Sequence, residues 1–258
     1  MSYTITSLNN DRVKQVRRLQ MDRRYRAREG LFVVEGTRWL ADAVQQQVAP
    51  MALFYTGDWR KQAGHEEILQ QIDPAVQAIV SDEVLAAMSD TETPPGVLAV
   101  LPIRPRPLPA RPGLLLILDE IRDPGNLGTM LRTAAAAGVD GVLLSPGCVD
   151  PHNPKVVRAG MGAHLRLALH QQEWAEIAET SRALQVWLAS ADGALPYTEV
   201  NWRQPSALIV GSEAHGAGKE AGALADGTLY IPMYAATESL NAAVAAGIIL
   251  FEAVRQRL

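Results

Sequence analysis

The chain has 258 residues, of which 48% are hydrophobic and 20% charged. That is apolar material for one or two packed domains, and the ordinary charge content argues against global disorder. Its one cysteine, Cys148, excludes an intrachain disulfide framework. The opening MSYTITSLNNDRVK lacks the apolar core of a secretory signal, and no apolar run approaches the ~20 residues of a membrane span. A cytoplasmic protein with no membrane partner is the natural expectation.

The formal net charge of −4 hides an uneven distribution. Residues 1–30 carry Arg12, Lys14, Arg17, Arg18, Arg23, Arg24, Arg26 and Arg28 against Asp11, Asp22 and Glu29, a local balance of +5 that leaves −9 for the rest. A basic end on an acidic chain fits either a solvated helix face or an anionic partner such as an RNA backbone. Arginine outnumbers lysine 20 to 4, and its planar fork suits phosphates and stacked bases.

In chain order, Asp11 to Asp22 reads as a helix, with Val13, Val16 and Leu19 on one face. LFVV at 31–34 is a buried-strand pattern, and Thr37 to Gln47 is again helical. Strands follow at 51–56 and 76–80, a helix from Asp82 to Met88, and a strand at 96–101. Alternating strands and helices predict a small α/β domain. Residues 101–113, LPIRPRPLPARPG, place five prolines in thirteen positions, which fits neither helix nor central strand and predicts a linker or an extended crossing strap.

The pattern then restarts. LLLILDEI at 114–121 is a buried strand, Leu127 to Ala137 a helix that Asn126 can cap and Gly138 can end, and GVLLS at 141–145 the next strand. This β-α-β unit predicts parallel strands with a right-handed crossover. Further strands are expected at 164–169, 184–190, 207–211 and 228–232, and a final helix from Ser239 to about Gln256. No internal repeat, G-x-G-x-x-G fingerprint or metal-ligating cluster stands out.

Ligands of open α/β sheets sit beyond the carboxyl ends of strands. Three such ends are unusual here. RDPGNLGTMLRTAAAAG, after strand 114–121, offers the Asn126 amide at a helix start and a lone Arg132 in an alanine-rich helix, which is either functional or paired with a neighbouring acid. GSEAHGAGK at 211–219 surrounds Glu213 with glycines, as a ligand-contacting loop or a plain surface turn. PMYAATESLNAAVAAG, from 232, puts Ser239 and Asn241 at the start of the last helix, where either can simply cap it.

Together NLGTMLRTAAAAG (126–138), LIVGSEAHGAG (208–218) and IPMYAATESLNAAVAAGI (231–248) resemble, in order, the three motifs of the SpoU, or TrmH, family of RNA 2′-O-ribose methyltransferases within the SPOUT superfamily. The likeness covers 114–258 and includes DPHNPKVVRAGMGAHLRL at 150–167. FVVEG at 32–36 and TPPGVLAV at 93–100 resemble the family's L30e-like substrate-binding domain. One departure stands out: the family places Gly directly after the motif glutamate, whereas here Ala214 and His215 intervene before Gly216.

The resemblance implies an α/β fold: an RNA-binding domain over 1–100, a proline-rich linker over 101–113, and a methyltransferase domain over 114–258 with a mostly parallel sheet and a deep trefoil knot. It implies S-adenosylmethionine as cofactor, held near Gly211, Ser212, Ile231, Met233 and Leu240, and no metal. Arg132 matches the family's catalytic arginine. Because guanidinium stays protonated, the expected role is to hold the RNA phosphate and stabilise a developing alkoxide. Asn126, Glu213, Ser239 and Asn241 would orient Arg132 and the ribose. The eight N-terminal cations would meet RNA phosphates, and the family is homodimeric. Ribosomal RNA is favoured over transfer RNA as substrate. The alternatives are a transfer-RNA 2′-O-methyltransferase and a catalytically silent, RNA-binding ribosome-assembly factor.

Overall fold

The computed structural model describes residues 4–212, 216–234 and 239–258. The chain divides into two compact units, residues 1–104 with 152–165, and residues 105–151 with 166–258.

In the first unit the order is β1 (Thr4–Ile5), α1 (Asp11–Met21), α2 (Arg23–Glu29), β2 (Leu31–Glu35), α3 (Thr37–Gln45), β3 (Ala52–Tyr55), α4 (Gly57–Arg60), α5 (His65–Leu69), β4 (Gln77–Val80), α6 (Asp82–Met88) and β5 (Val97–Pro102). The sheet runs β1-β4-β3-β5-β2, with β5 antiparallel to both β2 and β3. Alternation along the strands separates two cores. Val33, Phe54, Leu98 and Val100 pack with Val13, Val16 and Leu19 of α1 and Val84, Leu85 and Met88 of α6. Phe32, Val34, Leu53, Tyr55, Val97 and Ala99 face the other way, onto Trp39, Leu40 and Trp59. The returning segment 152–165 joins that second core through Val157 and Leu165, and its His152 and His164 rings lie against Phe32. Sequence likeness assigned this segment to the C-terminal half, yet its apolar side chains are buried with the N-terminal residues.

The second unit contains β6 (Leu114–Leu118), α7 (Pro124–Ala137) and β7 (Gly141–Leu144); helix α8 (Pro154–Gly160) belongs to the returning segment. It continues with β8 (Leu169–Gln171), α9 (Trp174–Ser181), β9 (Gln185–Ala189), β10 (Leu195–Pro196), β11 (Ser206–Val210), α10 (Lys219–Leu224), β12 (Gly227–Tyr230) and α11 (Ala242–Arg257). All seven strands are parallel, in the order β10-β12-β9-β11-β6-β7-β8. One face of the sheet, with Leu115, Ile117, Leu143, Val186 and Ile209, packs with Ile177 of α9 and Ala221 of α10. The alternate residues Leu116, Leu208 and Val210 are as deeply buried on the opposite face. Helices α7 and α11 pack on each other and bury Met130, Leu131, Ala246 and Ile249. Among the described residues no helix is long and apolar enough to cross a membrane.

One expectation shifts. The strand expected at 164–169 starts at Leu169, because Ala163–Leu165 forms a 3-10 turn whose Leu165 belongs to the first unit's core. Of the two readings of the proline-rich stretch, the structure has the strap. Leu108 packs over Gly141, the Arg106 side chain donates to the Arg166 carbonyl at 2.9 Å, and the Gly113 N–H donates to Asp140 at 2.6 Å.

The first helices also correct a charge assignment. Arg26 is 4% exposed and its Nη1 donates to the carbonyls of Leu19 (2.6 Å) and Gln20 (3.1 Å) at the end of α1. It completes a helix end instead of facing an RNA. Replacing Arg26 with Met is therefore expected to cost about 1–3 kcal/mol, the range for stripping a charged donor from buried acceptors. Replacing the exposed Arg17 or Arg24 with Gln is expected to leave stability nearly unchanged; chemical denaturation of the three variants checks both.

Candidate active site

The topology of the second unit selects one crevice. From β6 the chain moves outward through β7 to β8, then crosses to β9 on the other side and returns as β11, which pairs with β9 and β6. The carboxyl ends of β6 and β11 thus flank a point where strand order reverses, the usual ligand position in such sheets. The unusual segments found in the sequence leave from these ends and from the end of β12.

The segment after β6 leads into α7. Asp123, not Asn126, caps this helix: its Oδ1 accepts from the Asn126 N–H at 2.7 Å, with Pro124 in the first turn. Gly138 closes the other end at φ +66°, as its left-handed position requires. With the cap supplied by Asp123, the Asn126 side chain serves elsewhere. Its Oδ1 accepts from Asn241 Nδ2 at 2.9 Å.

Asn241 does two things. Its Oδ1 accepts from the N–H groups of Ala243 (2.9 Å) and Val244 (3.2 Å), capping α11 three residues later than the expected helix start at Ser239. Its Nδ2 holds Asn126. One carboxamide therefore ends a helix and ties together segments 115 residues apart in sequence. The Ser239 hydroxyl is exposed and plays no part in this cap.

Arg132 is exposed on α7 and makes no ion pair with a described acid. It also makes no hydrogen bond with Asn126 or Asn241. Six residues along a helix rotate a side chain by about 240° beyond full turns, which points Arg132 and Asn126 in different directions. Glu213, also expected to orient Arg132, lies outside the described residues, as does His215.

After β11 the chain folds back on itself. Gly211 is buried, and a Cβ there would lie 2.4 Å from the Gly216 carbonyl carbon and 2.5 Å from the Ala217 nitrogen, so any side chain at 211 would force the loop apart. The Gly216 N–H donates to the Ser212 carbonyl at 2.9 Å, and Gly216 takes φ +66°. Ser212, Ile231 and Leu240 are half-buried, and Met233 is 37% exposed. Of these described residues, Gly211, Ser212, Ile231, Met233 and Leu240 carry no charged side chain. Main chain and uncharged side chains of this kind suit a neutral heterocycle read by its edge, and none of the five is a cation that would repel a sulfonium.

Sequence reasoning passed over Asp119 and Ser145. Asp119, 2% exposed at the end of β6, accepts from Ser145 Oγ at 2.8 Å and from the Gly218 N–H at 2.7 Å. The signal was present: an acid closing the unbroken apolar run 114–118 must find partners if it is buried. Cys148 is also buried here, and burial pushes its thiol up, away from thiolate chemistry.

The remaining N-terminal cations divide. Arg12 donates to the Val76 carbonyl at 2.9 Å and lies over the Phe54 ring, 4.9 Å from its centre. Arg18 pairs with Asp22 and stacks on Tyr25, and Arg28 pairs with Glu29 and meets the same ring. Lys14, Arg17, Arg23 and Arg24 are exposed.

A parallel sheet whose strand order reverses at the carboxyl ends of β6 and β11 defines an α/β protein with the usual ligand position of such sheets at that edge. The family model described as the SpoU rRNA methylase family matches residues 113–251, and one described as the MRM3-like substrate binding domain matches 10–99. The mitochondrial rRNA methyltransferase 3A of Danio rerio is 36% identical over 304 aligned positions, spanning 96% of this chain and 69% of that protein. The 23S rRNA (guanosine(2553)-2′-O)-methyltransferase RlmP of Bacillus subtilis is 32% identical, spanning 96% of this chain and 97% of its own. The AdoMet-bound rRNA methyltransferase of Sinorhizobium meliloti superimposes with a TM-score of 0.89 at 30% identity, covering 100% of this chain and 99% of that one. The chain belongs to the SpoU rRNA methylase family.

The double duty of Asn241 makes a separable prediction. Asn241→Ala is expected to lose about 1 kcal/mol of stability with the cap. Asn241→Asp keeps the acceptor for both cap N–H groups and favours the helix dipole, so its unfolding midpoint should stay near that of the parent although the donor to Asn126 is gone. Urea titration of the two variants tests this.

Proposed function

We propose that this chain transfers a methyl group from S-adenosylmethionine to the 2′-hydroxyl of a ribose in ribosomal RNA. The observation that carries the reading is the Asn126–Asn241 hydrogen bond, which joins the first and third motif segments across the crevice. The Bacillus relative named for a 23S rRNA guanosine and the Sinorhizobium protein with AdoMet bound support the substrate and the cofactor. Ribosomal RNA is favoured over transfer RNA because these full-length relatives are named for it.

Gly211, Ser212, Ile231, Met233 and Leu240 would hold the cofactor. When bound, S-adenosylmethionine supplies an electrophilic methyl on a sulfonium with a good leaving group. The chain has then to bring a ribose hydroxyl into line and ease loss of its proton. Arg132 cannot take that proton, because its guanidinium stays charged. It holds an RNA phosphate and stabilises negative charge as the hydroxyl oxygen sheds its proton to phosphate or water. The linked carboxamides of Asn126 and Asn241, with Ser239 beside them in sequence, orient the ribose; Glu213 completes the set.

The N-terminal unit serves as the RNA-binding part, through Arg17, Arg23, Arg24 and Lys14 and, with part of their surface engaged inside the fold, Arg12, Arg18 and Arg28. Removing residues 1–30 is no test of this, because Val13, Val16 and Leu19 are core residues. The insertion of β11 between β9 and β6 supports a knotted C-terminal unit. Absence of a disulfide framework fits a cytoplasmic location.

Val244 and Phe251 are about half exposed on α11, and with Ile248 between them they form one apolar stripe at helical spacing. This stripe supports a homodimer in which α11 meets a second copy. Phe251→Glu is expected to convert the dimer to monomer, as read by light scattering at micromolar concentration; an unchanged mass rules out this stripe.

The activity is tested with methyl-labelled S-adenosylmethionine and, separately, ribosomal and transfer RNA, followed by nucleoside analysis. Ribose-methylated nucleosides are expected from ribosomal RNA. Arg132→Ala is expected to lose at least about a hundredfold in kcat while calorimetry still detects cofactor binding, and Arg132→Lys to recover little, since the planar fork is missing. Tight RNA binding by the parent protein without transfer would favour the assembly-factor alternative.

A further inference from the structure

We propose that Asp119 is a positioning residue for cofactor binding: its buried side chain fixes the loop after β11 by accepting the Gly218 N–H. This rests on the methyl-transfer reading of the same crevice and adds a residue to it.

Three strands meet at Asp119. Its own N–H donates to the Val210 carbonyl at 2.9 Å, extending the β6–β11 ladder one residue beyond β6. Its Oδ1 accepts from Ser145 Oγ, just past β7, at 2.8 Å. Its Oδ2 accepts from the Gly218 N–H at 2.7 Å, 99 residues away at the far end of the folded-back loop. Ser145 Oγ in turn accepts from the Glu120 N–H at 3.2 Å. Glu120 sits at φ +50°, a costly conformation for a residue with a side chain, which persists where its surroundings over-determine it.

The loop contains Gly216 and Gly218, both exposed, and among the described residues it closes on itself through Ser212 and Gly216. The near end is fixed at Gly211, whose Cα lies too close to Gly216 and Ala217 for any side chain. The far end is fixed by Asp119. A buried carboxyl group with two donors is a strong and geometrically defined anchor. Asp119 is buried at the end of β6, so it acts on the cofactor through the main chain that it anchors at Gly218 and not by contact.

The role depends on hydrogen bonding, not on charge, and this separates it from an electrostatic one. In Asp119→Asn the carboxamide can turn its oxygen to the Gly218 N–H and its NH2 to Ser145 Oγ, whose hydroxyl then donates to the Pro146 carbonyl, now 3.1 Å away. Asp119→Ala strands the Gly218 N–H. Gly218→Pro deletes the same donor at a residue whose φ of −69° suits proline, and its ring carbon takes the place of the N–H hydrogen that points at Asp119 Oδ2, so the carboxyl group and the main chain at 218 must also move apart.

The experiment measures Kd for S-adenosylmethionine by calorimetry on the full-length protein, with KM and kcat for methyl transfer and thermal unfolding alongside. Asp119→Ala and Gly218→Pro are each expected to raise Kd and KM for the cofactor by about tenfold or more, the scale of one lost buried hydrogen bond, with kcat at saturating cofactor within about threefold of the parent. Asp119→Asn is expected to recover most of the affinity. Unchanged cofactor affinity in folded Asp119→Ala or in Gly218→Pro overturns the proposal, and so does an Asn variant as weak as the Ala variant. If Asp119→Ala does not fold, Gly218→Pro carries the decision. A parent protein that binds no S-adenosylmethionine overturns the methyl-transfer reading itself, which parent-like affinity in the variants does not.

Discussion

Strand β11, Ser206–Val210, pairs in parallel with β6 on one side and β9 on the other, and all five of its residues are buried. The rest of the second unit depends on this insertion. A central parallel strand buried on both faces has to be apolar throughout, and SALIV meets that demand with one serine whose hydroxyl bonds back to the Gln204 carbonyl. Because β11 arrives after β9 in the chain and yet lies against β6, the strand order reverses at their shared edge. The crevice is therefore placed by sheet topology before any functional side chain is considered.

What lines the crevice follows from how chain ends are satisfied. Helix starts leave unpaired N–H groups, and two of them, on α7 and α11, open here. Asp123 satisfies the first and Asn241 the second. The choice of asparagine at the second start matters, because a serine or aspartate would cap as well but could not also donate to Asn126 in the same way. Structural and functional readings of such a residue are thus not alternatives. A capping asparagine whose amide faces a second helix start does both.

Much of this was legible in the chain. Runs such as LLLIL and SALIV carry a strong signal because a strand buried on both faces leaves no room for polar residues. The motif segments were legible because glycines, asparagines and a lone arginine interrupt otherwise apolar stretches. What stayed hidden was set by tertiary partners. Segment 152–165 reads as part of the C-terminal half by likeness, yet Val157 and Leu165 are buried against β2 and α3 residues. Arg26 looks like its seven basic neighbours in sequence, but its side chain is buried and turns to carbonyls at the end of α1. Asp123 and Asn126 are equally good caps on paper. The Pro124 between them settles the matter, since proline is favoured in the first turn and so puts the cap one residue before it.

Arg132 shows how the two kinds of cation on this chain differ. Arg18, Arg28, Arg60 and Arg255 each meet an acid of the same chain within a few residues. Arg132 is exposed, makes no ion pair with a described acid, and is followed in α7 by the small residues Thr133 to Ala137. A permanently charged fork on a rigid helix stays well hydrated until an anion with matching oxygens displaces that water. An RNA phosphate provides such oxygens. On this view the arginine is positioned by α7 alone and becomes ordered by substrate, so its contribution is made with RNA in place and does little to hold the free protein together. That division suits catalysis, where interactions strengthened on the way to the transition state accelerate the step and equal binding of the ground state does not.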